Sequence, residues 1–264
     1  MKRSLTFIII AMAALLTNAQ DLYIGSFFVT TPEQEALLGD GKDKWTTRRQ
    51  TVYDMFKYEL PDVLGLQSAT SSQMTAMRAG MNSGMSGLAS YKLAGDILYN
   101  NTVELDTCGV VDGMPEGCSC TWAKMRKDGT EFYVYNICFT ADSAYVSTNR
   151  LRTVSAEMVP TTTPCFVVGN LGMKEGTQPH KRMTAKFPDC FDSATYKSAE
   201  YGTVNNFDLE NNHSTDRFDF VFASKNVTVS AYGQLQYAYF TSENGTYKRR
   251  LPSSHFPVMA KVKM

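Results

Sequence analysis

Three histidines and six cysteines are among the side chains of this 264-residue sequence whose types could carry nucleophilic, acid–base or metal chemistry. His255 sits in Ser253-Ser254-His255-Phe256-Pro257, two hydroxyls and an imidazole ahead of an apolar segment. His180 heads the short basic run His180-Lys181-Arg182, which reads either as an anion contact or, more simply, as solvated surface. His213 lies in the polar stretch Asn211-Asn212-His213-Ser214, which needs no special role. Cys108, Cys118, Cys120, Cys138, Cys165 and Cys190 form an even set. Cys118 and Cys120 share a C-x-C spacing, but with no second close pair and few histidines this does not predict a zinc site. The plainer expectation is a disulfide from Cys108 to Cys118 or Cys120. Met74, Met77 and Met81 recur at helical spacing, a pattern of core packing rather than ligation. Asn100, Asn212, Asn226 and Asn244 each open an N-x-S/T sequon.

Residues 1–19 have the pattern of a secretory leader. Lys2 and Arg3 precede an apolar run from Leu5 to Leu16, and Thr17-Asn18-Ala19 closes it, predicting cleavage before Gln20 and a mature domain of residues 20–264. The run falls short of the roughly 20 apolar residues that span a bilayer, no other stretch is expected to cross one, and no cysteine follows it to carry a lipid. The expected location is therefore secreted, periplasmic or extracellular, where disulfides persist. The chain carries 26 basic and 26 acidic residues, and loss of the leader leaves 24 basic against 26 acidic. Neutralising phosphates supplies most non-specific affinity for nucleic acid, so a slightly acidic protein makes nucleic acid an unexpected partner.

The elements that must position these residues are short alternating strands and helices with no interior linker. Strands are predicted over Leu22–Val29, Val63–Gln67, Cys165–Gly169, Arg217–Ala223, Val227–Tyr232, Leu235–Phe240 and His255–Lys263. Thr121–Arg126 and Glu131–Phe139 flank Lys127-Asp128-Gly129, a hairpin signal. Helices are predicted over Thr46–Leu60, with Thr46 as cap, over Thr70–Met81, and from a Ser147 cap through Leu151, Val154 and Met158. Asn82–Ser90, rich in Gly, Ser and Met, reads as a surface loop, and Tyr232, Tyr237, Tyr239 and Phe240 read as an aromatic hairpin packed into a core. The order suits an α+β fold of two packed mixed sheets with helices outside, each half of the chain giving one sheet.

A series of motifs in this order resembles the endonuclease/exonuclease/phosphatase family. Trp45-Thr46-Thr47-Arg48-Arg49 is similar to its W-x-x-R-R helix start, and Pro61-Asp62-Val63-Leu64-Gly65-Leu66-Gln67 to its P-D-V-I/L-G-L-Q strand. Asp96-Ile97-Leu98-Tyr99-Asn100, Thr121-Trp122-Ala123 and Tyr133-Val134-Tyr135-Asn136 resemble its ILY, ATWA and V-x-N-T-H strands. Pro164 to Gly169 resembles the strand before its G-D-x-N turn, while Gly202 to Phe207 and Arg217 to Phe222 are similar to its GTxNxF and RIDYIF segments. The blocks run from residue 22 to 263. The resemblance implies a DNase I-like four-layer α/β/β/α sandwich and a Mg²⁺-dependent phosphoester hydrolase. In such an enzyme carboxylates hold the cation, His and Asn groups stabilise phosphoryl charge, and an Asp activates water.

Position by position, this sequence departs from that chemistry. Phe28 stands where the family has an Asn, Ser68 where it has its metal-binding Glu, and Cys138 where it has a phosphate-contacting His. Asn170 and Gly172 replace the Asp and Asn of the G-D-x-N turn, and Ser254 replaces the Asp of the final Ser-Asp-His. The remnant is His255 with Asp219, the residue that in the family orients that His. The resemblance thus implies a secreted pseudoenzyme, its Mg²⁺ site lost, with no metal or other cofactor expected. Such a protein acts as a binding or interaction module for an unknown small ligand or extracellular partner. The alternative keeps hydrolysis, either as a divergent phosphoesterase or through Cys138, His255 and Asp219, which the resemblance places together as the elements of a nucleophilic triad.

Overall fold

The structure is a computed structural model that describes residues 21–198, 202–208, 210 and 214–264. The expected leader, Asn212 and His213 lie outside the described residues. In chain order the elements begin with β1 (Asp21–Phe28), α1 (Pro32–Glu35), α2 (Trp45–Glu59), β2 (Val63–Gln67), α3 (Ser71–Asn82), β3 (Tyr91–Ala94) and β4 (Ile97–Asn100). There follow β5 (Glu104–Val110), β6 (Ser119–Lys127), β7 (Thr130–Cys138), α4 (Ala144–Met158), β8 (Cys165–Asn170), α5 (Gln178–Thr184) and α6 (Cys190–Ser193). The chain closes with β9 (Tyr196–Ser198), β10 (Asp219–Ala223), β11 (Thr228–Gln234), β12 (Tyr239–Glu243), β13 (Thr246–Arg250) and β14 (Val258–Lys263).

The strands form a seven-stranded sheet, ordered β3-β4-β2-β1-β14-β11-β9, and a five-stranded sheet, ordered β10-β8-β7-β6-β5. Both are mixed, with β1 parallel to β2 and antiparallel to β14, and β7 parallel to β8. The expectation of one sheet per half of the chain is corrected here. Because β14 pairs with β1, the two ends of the chain build the first sheet, and the second comes from β5–β8 and β10.

Period-two alternation explains the layering. In β1, Leu22 and Ile24 face the other sheet, packing with Val63, Val134, Phe166, Val221 and Ala260. Phe27 faces outward with Leu64 and Leu66 onto Val52, Phe56 and Met77 of α2 and α3. On the second sheet Tyr135, Ile137, Val167 and Phe220 face outward onto Leu151 and Met183 of α4 and α5. The result is the α/β/β/α order. Each fully buried aromatic or aliphatic side chain contributes about 1.5–3 kcal/mol relative to exposure.

One polar bridge crosses between the sheets. Gln67 Nε2 donates to Asn136 Oδ1 at 2.6 Å, Ser26 Oγ donates to Gln67 Oε1 at 3.0 Å, and Asn136 Nδ2 donates to the Leu66 carbonyl at 3.0 Å. Gly65 makes room for it, since a Cβ there would stand 2.4 Å from Asn136 Oδ1.

Several local expectations shift. α2 starts at Trp45 with Lys44 as its cap and no side-chain cap bond, while Leu60 (φ 53°) closes it in the left-handed region. Thr70 caps α3 through a capping box with Gln73, and Ser147 lies buried inside α4 behind the Ser143 cap. Leu235–Phe240 is not a strand. Tyr237 leaves the sheet to bond Glu59, and pairing resumes only at Tyr239, in a separate β12–β13 arm turning at Asn244-Gly245. The aromatic set is accordingly split: Tyr232 is in the inter-sheet core, Tyr239 bonds Asp43, and Phe240 is exposed. None of the six cysteines is paired. Cys108 pairs across from Ala123, on the face that looks to the other sheet, whereas Cys120 is in the outer core. Cys118 lies just before β6, whose four steps from Ser119 to Ala123 span about 13 Å, beyond the roughly 7 Å limit between bridged Cα atoms.

Candidate functional site

The carboxyl ends of β1, β2, β7 and β8 open into one cleft of about 750 Å³. Phe28, Ser68, Cys138, Asn170, Gly172 and His255 all line it, so the structure brings six of the positions singled out in the sequence together. Asp219 and Ser254 stand behind the wall, both buried.

His255 is the best-held group. Its Nδ1 meets Asp219 Oδ2 at 2.7 Å, which assigns the ring proton to Nδ1 and leaves Nε2 for a ligand. The second Asp219 oxygen accepts from Asn170 Nδ2 at 2.9 Å. Asn170 Oδ1 in turn accepts from the Gly172 amide at 2.9 Å. The register supports this relay, because β8 runs between β7 and β10 and sets Asn170 beside both Cys138 and Asp219. The Phe28 ring stacks on the imidazole with centroids 4.0 Å apart and planes 10° apart.

The Ser-Ser-His run is anchored from beneath. Ser254 Oγ lies 2.6 Å from Thr30 Oγ1, Ser253 Oγ bonds the Phe28 carbonyl, and the Ser254 carbonyl accepts from the Asn205 and Asn206 amides. Ser254 is thus turned away from the cleft into a hydroxyl cluster. The same corner is braced by Arg48, fully buried, which donates to the carbonyls of Thr30, Asp43 and Pro252 and pairs with Glu35 at 2.9 Å.

The facing wall is differently furnished. Ser68 follows β2 in the left-handed region (φ 48°) and donates to Gln34 Oε1 at 2.5 Å. Burial pushes the Cys138 thiol up to about 11, and Asp219 and Asp96 add to the effect. No hydrogen bond joins Cys138 to His255. Asp96 is the acidic residue of the lining and was not singled out for chemistry in the sequence, where it only opens the Ile97 strand. Its Oδ1 is shielded from water with no hydrogen-bond partner, and burial raises its pKa despite help from Asn136 and Thr121. The available signal was an acid placed after a turn glycine, Gly95 (φ 62°), at the mouth of a fully buried strand. Among the described residues no three His, Cys, Asp or Glu side chains stand together as a metal-holding group.

The basic run His180-Lys181-Arg182 falls on α5 and does not line the cleft. His180 is buried, 3.3 Å from Asp189 Oδ2 and packed on Phe220, and belongs to the core.

Protein-family models give no match to this chain, and curated protein sequences give none either. Solved structures do match. An endonuclease/exonuclease/phosphatase family protein from Bacteroides thetaiotaomicron superposes with a TM-score of 0.80 at 21% identity, over 93% of this chain and 98% of its own. A mannosyl-6-phosphatase from the same organism gives 0.78 at 21% identity, over 91% and 99%. A Bacteroides vulgatus endonuclease/exonuclease/phosphatase gives 0.72 at 18% identity, over 93% and 99%. The chain therefore has the DNase I-like α/β/β/α fold of endonuclease/exonuclease/phosphatase family proteins.

Proposed function

We propose that this protein is a secreted member of that family that has lost phosphoester hydrolysis and uses its cleft to bind a small, uncharged, hydroxyl-rich ligand. The lining carries the proposal. Among the described residues it has no Lys or Arg, one imidazole and one carboxylate, set among Ser, Thr, Gln and Asn groups and the apolar Phe28, Leu66, Met74 and Phe218. Such a surface offers hydrogen bonds and stacking but no fixed cation for a phosphate.

The residues also do not fit the hard cation that the fold implies. Mg²⁺ takes about six oxygen ligands, usually several waters with one or two carboxylates from the protein. Here position 28 is a phenyl ring, the Ser68 hydroxyl is occupied by Gln34, and burial favours the neutral form of Asp96. Nor does position 170, where the resemblance implies the Asp that activates water, hold a base. Asn170 is an amide already donating to Asp219, whose carboxylate is shared between that amide and His255.

The test is hydrolysis of mannose 6-phosphate (prompted by the mannosyl-6-phosphatase neighbour), 4-nitrophenyl phosphate and bis(4-nitrophenyl) phosphate with Mg²⁺ or Mn²⁺. The expected result is no turnover above buffer, with binding of neutral sugars by the same preparation. Metal-dependent turnover that disappears in His255→Ala overturns the proposal.

The Asp219–His255 pair favours a second reading, catalysis by Cys138. A thiol held near 11 is almost wholly protonated at neutral pH, and no hydrogen bond links it to the imidazole that would activate it. Alkylation of Cys138 by iodoacetamide at pH 7 is therefore expected to be slower than that of a free thiol. Rapid, His255-dependent labelling would instead favour the thiol mechanism.

A further inference from the structure

A second cavity, of about 650 Å³, opens at the other end of the five-stranded sheet. Its wall includes Cys165, the first residue of β8, whereas Asn170, the last, is in the wall of the cleft. Five strand steps, about 16 Å, separate the two.

The charges here are all of one sign. Arg152 on α4, Lys186 just after α5 and Lys225 just after β10 line the cavity, and among the described residues no acidic one does. The Lys186 ammonium donates to the Arg152 carbonyl at 3.0 Å and to Ser155 Oγ at 2.7 Å, with no carboxylate beside it. Burial, with Arg152's charge adding to it, holds the Lys186 pKa below its ordinary value. The Arg152 side chain makes no hydrogen bond or ion pair among the described residues, and its Nε is shielded from water with no acceptor. Two neighbouring cations are thus left uncompensated, one with a buried donor unused. Buried charged donors are normally paired, and a guanidinium fork matches the oxygens of a phosphate or carboxylate. Around them Ala156, Val159, Pro160 and Phe187 supply an apolar floor.

We infer that this cavity is a binding site for a small organic oxyanion, a phosphate monoester or carboxylate carried on an apolar body, with Arg152 and Lys186 holding the oxyanion and Lys225 at the rim. The site is independent of the cleft and of what the cleft does.

Calorimetric titration of phenyl phosphate into the whole protein, at low ionic strength and without phosphate buffer, tests it. Saturable binding is expected, weakened about tenfold or more by Arg152→Gln and by Lys186→Gln, and unchanged by His255→Ala. Inorganic phosphate is expected to bind at least about tenfold more weakly, because it lacks the apolar body. Benzoate in place of phenyl phosphate separates carboxylate from phosphate preference, and tight binding of either supports the site. Melting curves identify a variant that has simply unfolded, and Lys225→Gln, altered only at the exposed rim, then serves instead with a smaller expected loss. No saturable binding by either organic anion, equal binding by the Arg152 and Lys186 variants, or loss of binding in His255→Ala overturns the inference.

Discussion

The two cavities at opposite ends of the five-stranded sheet differ most in how their arginines are treated. Beneath the cleft, Arg48 is fully buried and satisfied by three backbone carbonyls and Glu35. At the far cavity, Arg152 is partly buried beside a second cation and has no acceptor for its Nε. The same side chain is structural glue in one place and an unsatisfied donor in the other. A closed network accounts for shape, whereas an open one calls for something the chain does not itself supply.

The largest effect expected from this contrast is at Arg48. Arg48→Met leaves Glu35 buried without its cation and takes a donor from the carbonyls of Asp43 and Pro252, while the Thr30 carbonyl keeps Gln73 Nε2. Breaking such a pair costs about 3–5 kcal/mol. Urea unfolding should register that loss, and a change under about 1 kcal/mol would break the comparison by showing Arg48 to be as loosely used as Arg152.

Next in size is the cleft's own attempt at reversion. Introducing the residues that the family resemblance implies means Phe28→Asn, Ser68→Glu, Cys138→His, Asn170→Asp, Gly172→Asn and Ser254→Asp together. At Gly172 (φ 73°) a Cβ would stand 2.5 Å from the Phe139 carbonyl oxygen. Asn tolerates the left-handed region, but this clash moves backbone, and the single variant is expected to lose about 1–3 kcal/mol. Thermal melts of Gly172→Asn beside Asn170→Asp would separate strain from chemistry. An unperturbed Gly172→Asn would mean that the turn can open to admit the Asn that the resemblance implies there.

The contrast also marks what could be read in advance. Motif blocks carry strand ends with them, so Phe28, Ser68, Cys138, Asn170, Gly172 and His255 could be assigned to one cleft from the sequence, and Asp219 to the back of His255. Ser254 was legible as an altered position but not as a buried one, because its partner Thr30 lies 224 residues away. The division into sheets is not legible for a similar reason, since nothing local to Val258–Lys263 says that it will pair with the first strand. The far cavity left no local signature. Its three cations come from three elements, and only packing brings them together and away from acids.

A smaller effect is expected at Asp96, where the cleft resembles the far cavity in leaving a shielded atom without a partner. Its carboxyl pKa is raised in the folded state, so between the ordinary value near 3.8 and that raised value the native protein binds more protons than the unfolded chain. Stability must then fall as pH rises through this window. Asp96→Asn removes the titration and should stabilise the protein by about 1 kcal/mol at pH 7, with less gain near pH 4. A loss at pH 7 would assign the carboxylate a partner, such as a bound cation, and would weigh against the proposed function.

The smallest expected effect is at Arg152, and its smallness is informative. Arg152→Met keeps the aliphatic stem against α4 and the cavity floor, orphans no carboxylate, and relieves the repulsion on Lys186. Substitutions that break no buried partnership usually change stability by less than about 0.5 kcal/mol. Set against the loss expected at Arg48, that near-zero value, measured by the same urea titration without ligand, would locate the value of Arg152 outside folding. Adding phenyl phosphate should then stabilise the parent chain more than the variant, since a ligand bound to the native state shifts the midpoint by an amount that grows with its affinity.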